Sequence, residues 1–190
     1  MIENYALSGS LNLLAEGQIV RQIYRISDEK SGYHYKGYPA VNSDSAGIGS
    51  DLFDINYIFF NPRVGINYNL NEQLNLYSTI AYTSREPRMV NLYNASEAFD
   101  GKKPLFERDS TGKYDFTKPL VKPESMLDIE TGFSFRVPFF YFNANFYWMN
   151  YYDELVKSGQ LDIFGAPIDG NAPRTRHYGI EIQSQFDILN

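Results

Sequence analysis

The sequence predicts an all-β fold, an antiparallel transmembrane β-barrel segment of about six long strands with short periplasmic turns and long extracellular loops. Three observations lead there. Apolar and polar residues alternate with a period of two, the signature of a strand with one apolar and one wet face. The alternating runs are long enough to cross a bilayer, which takes roughly 9–11 tilted residues, whereas strands in soluble proteins usually run to about five or six. The connections between runs alternate long and short, as a membrane barrel requires.

The clearest run spans Met126 to Glu154 and reads as a hairpin. Leu127, Ile129, Thr131, Phe133, Phe135 and Val137 share one face, with Asp128, Glu130, Gly132, Ser134 and Arg136 on the other. Val137-Pro138-Phe139 turns the chain and the parity changes. Phe140, Phe142, Ala144, Phe146 and Trp148 then oppose Tyr141, Asn143, Asn145, Tyr147 and Tyr151.

The remaining strands follow in order. A first strand is expected from Tyr5 to Tyr24, followed by a loop of about thirty residues carrying Tyr33-His34-Tyr35-Lys36-Gly37-Tyr38 and a Ser/Asp/Gly-rich run; such a run has turn chemistry and no core to bury. A second strand, Asn56 to Leu70, contains Pro62, which cannot donate to a ladder and so implies a bulge. A polar turn leads into a third, Leu74 to Arg85. The segments Glu86–Glu124 and Lys157–Pro173 lack periodicity and read as loops, and a last strand runs from Arg174 to Leu189. Short turns at one end and long loops at the other make the first strand run outward and the last inward.

Composition agrees. Aromatic residues make up 16% of the chain, with 16 Tyr, as the aromatic girdles of a membrane barrel predict. There is no cysteine, hence no disulfide or thiol chemistry. A net charge of −6 argues against nucleic acid, which needs basic patches. No run approaches the 18 apolar residues of a transmembrane helix. Six strands are too few for a single-chain barrel, which begins at eight, and nothing before Tyr5 resembles a signal peptide. The expectation is an internal piece of a longer barrel.

Three motifs fall in a distinctive order. Thr83-Ser84-Arg85-Glu86-Pro87-Arg88 is followed by Asn91-Leu92-Tyr93. Val121-Lys122-Pro123-Glu124-Ser125 is followed by Glu130-Thr131-Gly132. Arg174-Thr175-Arg176-His177-Tyr178-Gly179-Ile180-Glu181 closes the series. Asn61-Pro62-Arg63 with Gly65 belongs with them. The ordered set resembles the barrel of TonB-dependent outer-membrane receptors. That resemblance implies a 22-stranded barrel filled by an N-terminal plug, in the outer membrane of a Gram-negative-type bacterium. It also implies uptake of a scarce nutrient (siderophore, cobalamin or oligosaccharide class) energised by the TonB protein, with no cofactor. The plug and the TonB-binding motif lie outside this chain. Partners implied are the lipid bilayer and lipopolysaccharide, the plug, TonB and a small-molecule ligand. The competing reading is a soluble β-sandwich binding module.

Candidate residues divide into two groups. Tyr33, His34, Tyr35 and Tyr38 in the first loop, with Arg85 and Arg88 at a strand top, are candidates for ligand contact; the loop aromatics could equally pack on other loops or lipid headgroups. Arg63, Asp128, Glu130, Tyr147 and Glu181 belong to the polar lumen wall, where the resemblance implies contact with the plug. Counting from Pro138 pairs Glu130 with Tyr147, and Glu181 falls near the same level. Two carboxylates around a tyrosine evoke acid/base catalysis, but nothing shapes a substrate pocket around them, and no enzyme is expected. An Arg85–Asp128 diagonal pair is expected as support. His34 and His177 have no partner at metal-ligand spacing, so no metal site is expected. Gly65, Gly132 and Gly179 face the lumen, where they either admit the plug backbone or mark a barrel bend. Trp148, Tyr152 and Tyr82 read as an aromatic girdle on the lipid face.

Overall fold

The computed structural model describes residues 2–6, 9–27, 51–94, 103–161, 165 and 167–187. One antiparallel sheet holds seven strands in the spatial order β1-β2-β3-β4-β9-β10-β11. They are β1 (Ile2–Ala6), β2 (Leu11–Ser27), β3 (Asp51–Asn69), β4 (Leu74–Arg85), β9 (Glu124–Val137), β10 (Phe140–Leu161) and β11 (Pro167–Phe186). Between β4 and β9 the described residues form a single 3-10 turn at Met89–Asn91 and four short strands. Of these, β5 (Tyr93–Asn94) pairs with β6 (Lys103–Pro104), and β7 (Phe106–Arg108) with β8 (Tyr114–Pro119). β1 and β11 are the open edges of the large sheet, which does not close on itself.

β2, β3, β4, β9, β10 and β11 each keep one apolar face, and those faces coincide. Ile19, Ile58, Phe60, Val64, Ile66, Ile80, Phe146, Ile180 and Ile182 all stand exposed on it, Ile180 at 69%. The opposite face carries Gln18, Asn61, Arg63, Asn67, Asn75, Thr79, Asp128, Glu130, Asn143, Asn145 and Glu181, matched row by row across the ladders. A sheet with one face of bare Ile and Phe and an opposite hydrogen-bonded polar face has the two-sided pattern of a lipid-facing barrel wall.

Four local expectations change. The first strand is two: β1 pairs back on β2, Ala6 with Asn12, and the chain bends at Gly9-Ser10. Alternation happens to continue across that turn, which disguised it. Pro62 causes no bulge, since β2 and β3 stay in register through Gly17–Pro62. The proline instead marks where the β3–β4 ladder ends, at Arg63–Ala81. Just beyond it the Asn61 side-chain oxygen accepts the Ser84 N–H at 2.9 Å, standing in for the lost ladder bond. The segment Lys157–Pro173 is mostly strand: β10 and β11 pair up to Leu161–Pro167, with one irregularity between Lys157 and Leu161. Both faces of that hairpin are wet there, so no alternation betrays it.

The segment Glu86–Glu124 also has structure of its own. Leu92, Tyr93, Phe106 and Tyr114 join Leu52 and Phe53 of β3 in a buried cluster, flanked by Tyr24, Ile26, Ile55, Met89 and Phe116. Tyr24 and Phe53 stand on the polar-face side of β2 and β3, so the connection folds inward over the wall. Phe53 and Phe106 lie 5.0 Å apart, Phe106 and Phe116 5.1 Å in an edge-on contact. The β7–β8 turn is closed by Asp109, whose side chain accepts the N–H groups of Thr111 and Lys113 at 2.8 and 2.9 Å, and by Gly112 at φ 83°, a conformation that only glycine adopts freely.

Candidate functional site

The polar wall rises from the short-turn end to the long-loop end in three tiers. In the lower two, glycines are filled by tyrosines. Tyr77 pairs directly with Gly132, and Tyr147 with Gly179. A Cβ on Gly132 would sit 2.5 Å from the Tyr77 hydroxyl oxygen, and one on Gly179 2.6 Å from that of Tyr147. Each ring therefore lies across the bare backbone of the next strand. At these two glycines the space a side chain would take is filled by a tyrosine of the neighbouring strand. The Asn143 side-chain amide donates to the Tyr77 hydroxyl at 3.1 Å, pinning that ring.

In the middle tier Glu130 pairs with Tyr147, as counting from the turn gives. Glu181 pairs with Asn145, one ladder step closer to the turn. The Asn145 amide donates to Glu130 at 3.3 Å. Arg63 and Asp128 line one shallow recess with Glu16, Gln18, Asn61 and Glu130. Arg85 does not pair with Asp128. It faces Glu124 directly across the β4–β9 ladder, its Nε 2.6 Å from the carboxylate. Two carboxylates were available to Arg85, and strand register decided between them.

Glu124 of the Lys-Pro-Glu motif does more. Asp153 takes φ 50°, left-handed backbone that here puts a kink in β10 where pairing with β9 stops at Tyr152–Ser125. The Leu155 N–H beyond that kink donates to the second Glu124 oxygen at 2.7 Å. Asn171 of β11 serves Lys122 in the same way, accepting its N–H at 2.8 Å and donating to its carbonyl at 3.0 Å. The motif thus ties three strands where regular ladders end.

The upper tier is a recess of about 450 Å³ lined by Tyr24, Arg85, Glu86, Arg88, Asn91, Leu155, Lys157 and Asp169. Arg88 and Lys157 both bind Asp169, at 2.8 and 2.5 Å. Burial alone would raise the Asp169 carboxyl, but the hydrogen bonds from Lys157 and Arg88 outweigh it and hold its pKa below the ordinary carboxylate value. Next to the recess, Glu154 bonds the Thr175 hydroxyl and lies 3.5 Å from His177 Nε2, whose ring meets Tyr151 edge-on at 5.1 Å. This Glu154–His177 pair was invisible in the sequence, because the kink at Asp153 makes it. Among the described residues no three His, Cys, Asp or Glu side chains converge as metal ligands. Tyr33, His34, Tyr35 and Tyr38 lie outside the described residues.

Outward, Tyr82, Trp148 and Tyr152 stand on the apolar side, as a girdle requires. The Arg174 and Arg176 guanidinium groups lie 5.7 and 5.6 Å from the Tyr152 and Trp148 rings.

The family model for the TonB-dependent receptor-like β-barrel matches residues 8–190. The chain belongs to the TonB-dependent receptor β-barrel family. Solved structures of like fold include the copper transporter OprC, 14% identical over 98% of this chain with a TM-score of 0.67. Others are the FrpB iron transporter of Neisseria meningitidis, at 18% identity over 98% with a TM-score of 0.57, and the alcaligin outer-membrane receptor FauA of Bordetella pertussis, at 12% over 99% with a TM-score of 0.54. These are transporters and receptors rather than enzymes. The chain spans about a quarter of their length, 26%, 22% and 26% respectively. No curated sequence matches. With the family in hand the sandwich alternative falls.

Proposed function

We propose that this chain is one sector of the wall of an outer-membrane receptor that actively imports a scarce nutrient of the siderophore, cobalamin or oligosaccharide class. The plug and the TonB-contacting segment belong to the rest of that receptor. The observation carrying this reading is the tiered polar face opposite a continuous lipid-facing one. It provides a wet wall for a plug, through Arg63, Asp128, Glu130, Tyr147 and Glu181, and above it a recess open toward the loops. Arg85 and Arg88 in that recess, with Tyr24 and Lys157, offer guanidinium forks, an ammonium and an aromatic face to an entering ligand. Such groups suit carboxylate, catecholate or sugar oxygens. On sequence alone, the first-loop residues Tyr33, His34, Tyr35 and Tyr38 join this candidate ligand-contact set.

Uptake by cells dependent on the full receptor tests the proposal. Uptake of the ligand should stop when the TonB protein is removed. Arg88→Ala and Tyr24→Ala should each raise the half-saturating ligand concentration while the receptor remains in the outer membrane. Uptake indifferent to TonB would contradict active transport, and unchanged saturation in both variants would remove the recess from the ligand path.

A further inference from the structure

Three strands bring unlike donor groups into one row of the polar face. Asp128 of β9 and His177 of β11 each pair directly with Met149 of β10, one from either side. All three share the face of Glu130, Tyr147 and Gly179, which stand two residues along in the same strands. Spacing along the chain hides this set, because each member comes from a different strand. The sheet's methionines, Met126 and Met149, both stand on this wet face, and Met126 borders the recess that Arg63 and Asp128 line.

The two polar donors are positioned and under-used. Asp128 Oδ1 is buried and has no hydrogen-bond partner. His177 is half exposed, and its Nε2 turns to Glu154, which is itself held by the Thr175 hydroxyl. That leaves Nδ1 as the nitrogen for a ligand bond, with a carboxylate behind the ring as metal-binding imidazoles commonly have. Paired Cα atoms lie about 4.5–5.5 Å apart, so Asp128 and His177 stand roughly 10 Å apart across Met149. A carboxylate and an imidazole, each with a bond of about 2 Å to a shared ion, close such a span from both sides. The ion then sits over the Met149 thioether. The sulfur completes the set, since among the described residues no three His, Cys, Asp or Glu side chains converge.

We propose that Asp128, Met149 and His177 bind one copper ion on the lumen wall, with Glu154 positioning the imidazole. Divalent affinities peak at copper, and a thioether adds the soft sulfur that copper takes and hard cations refuse. Arg63 lines the neighbouring recess, where Glu16, Asp128 and Glu130 outnumber it. The site rests on the lumen face described above and not on the class of nutrient imported.

The test uses the full receptor, purified from outer membranes in detergent and stripped of metal by a chelator. Copper(II) and zinc(II) are titrated separately against a chromophoric competitor. Asp128→Asn and His177→Gln should each weaken copper binding about tenfold or more, the scale set by the loss of even a ligand's supporting partner. Met149→Leu keeps the volume of the side chain and should weaken copper more than zinc. Nitrogen coupling in the pulsed EPR spectrum of bound copper(II) should vanish in His177→Gln, survive in Met149→Leu, and shift in Glu154→Gln. Heat-modifiable migration in gels confirms that each variant is a folded barrel. Copper affinity unchanged in the Asp128, Met149 and His177 variants overturns the proposal. So does copper that His34→Gln releases, which would place the ion at His34. A receptor that inserts in the outer membrane and binds no copper removes the site and leaves the wall reading standing.

Discussion

Tyr147 and Gly179 show how single residues settle the wall. The glycine is flat because a ring needs its backbone: Cβ at that position would lie within 2.6–2.9 Å of three Tyr147 atoms. Gly179→Ala should therefore cost about 1–3 kcal/mol of folding stability, the usual penalty for overpacking. In the background of Tyr147→Ala the same change should cost less, giving a coupling energy of at least about 0.5 kcal/mol in a double-mutant cycle. Denaturant titration of the refolded receptor in lipid vesicles measures it; strictly additive losses would disprove the contact. Parity alone placed both residues on the lumen side. It could not show that they touch, since pairing between β10 and β11 depends on a hairpin whose length the sequence hides. Glu130 and Tyr147 were legible as partners because only a tight turn separates their strands.

At the scale of elements, Glu124 is the knot. It accepts from Arg85 on one side and from the Leu155 N–H on the other, and it is 7% exposed. Glu124→Ala leaves the part-buried Leu155 N–H without its acceptor, and should destabilise the barrel by about 1–3 kcal/mol. Glu124→Gln, which can still accept from it, should cost less. Equal losses in thermal melts would mean that the charge and bonds are immaterial. Above the knot, Asp169 fastens the β10–β11 hairpin to Arg88 of the inward-folded connection. Its folded pKa is lowered, so the tie is fully present above the unfolded value of about 3.9 and is lost as pH falls through the lower folded one. Spin labels at Leu120 and Gly165 should keep one distance from pH 7 to about pH 4 and spread below it. Asp169→Asn should show the spread distribution at every pH, and a distance independent of both would refute the tie. The sequence exposed the Lys-Pro-Glu motif but neither the kink at Asp153 nor the extended hairpin. Period-two patterning exists only where lipid wets one face, and both faces of Lys157, Ser158 and Gln160 meet water. The cluster around Leu92 and Phe106 escaped for a related reason: its members come from short pieces that each contribute one or two apolar residues.

The whole molecule is a sheet sorted by solvent. One face is bare Ile, Phe and Tyr; the other is amide, carboxylate and guanidinium. Such a sheet with two open edges is aggregation-prone in water. A charge placed on the lipid side at mid-height should be costly: Ile180→Arg should destabilise the folded barrel by about 2–4 kcal/mol, against little for Gln183→Arg on the lumen side. This sorting was the part of the fold most legible in sequence, because it is the one feature that every long strand repeats. The most direct measurement uses the absence of cysteine from the chain. Single cysteines introduced at Ile180, Glu181, Ile182 and Gln183 in the full receptor, in membranes, would carry spin labels whose exposure to oxygen and to a water-soluble nickel chelate is compared. Oxygen should win at Ile180 and Ile182 and the nickel chelate at Glu181 and Gln183. Uniform exposure along the four positions would contradict a lipid-facing wall.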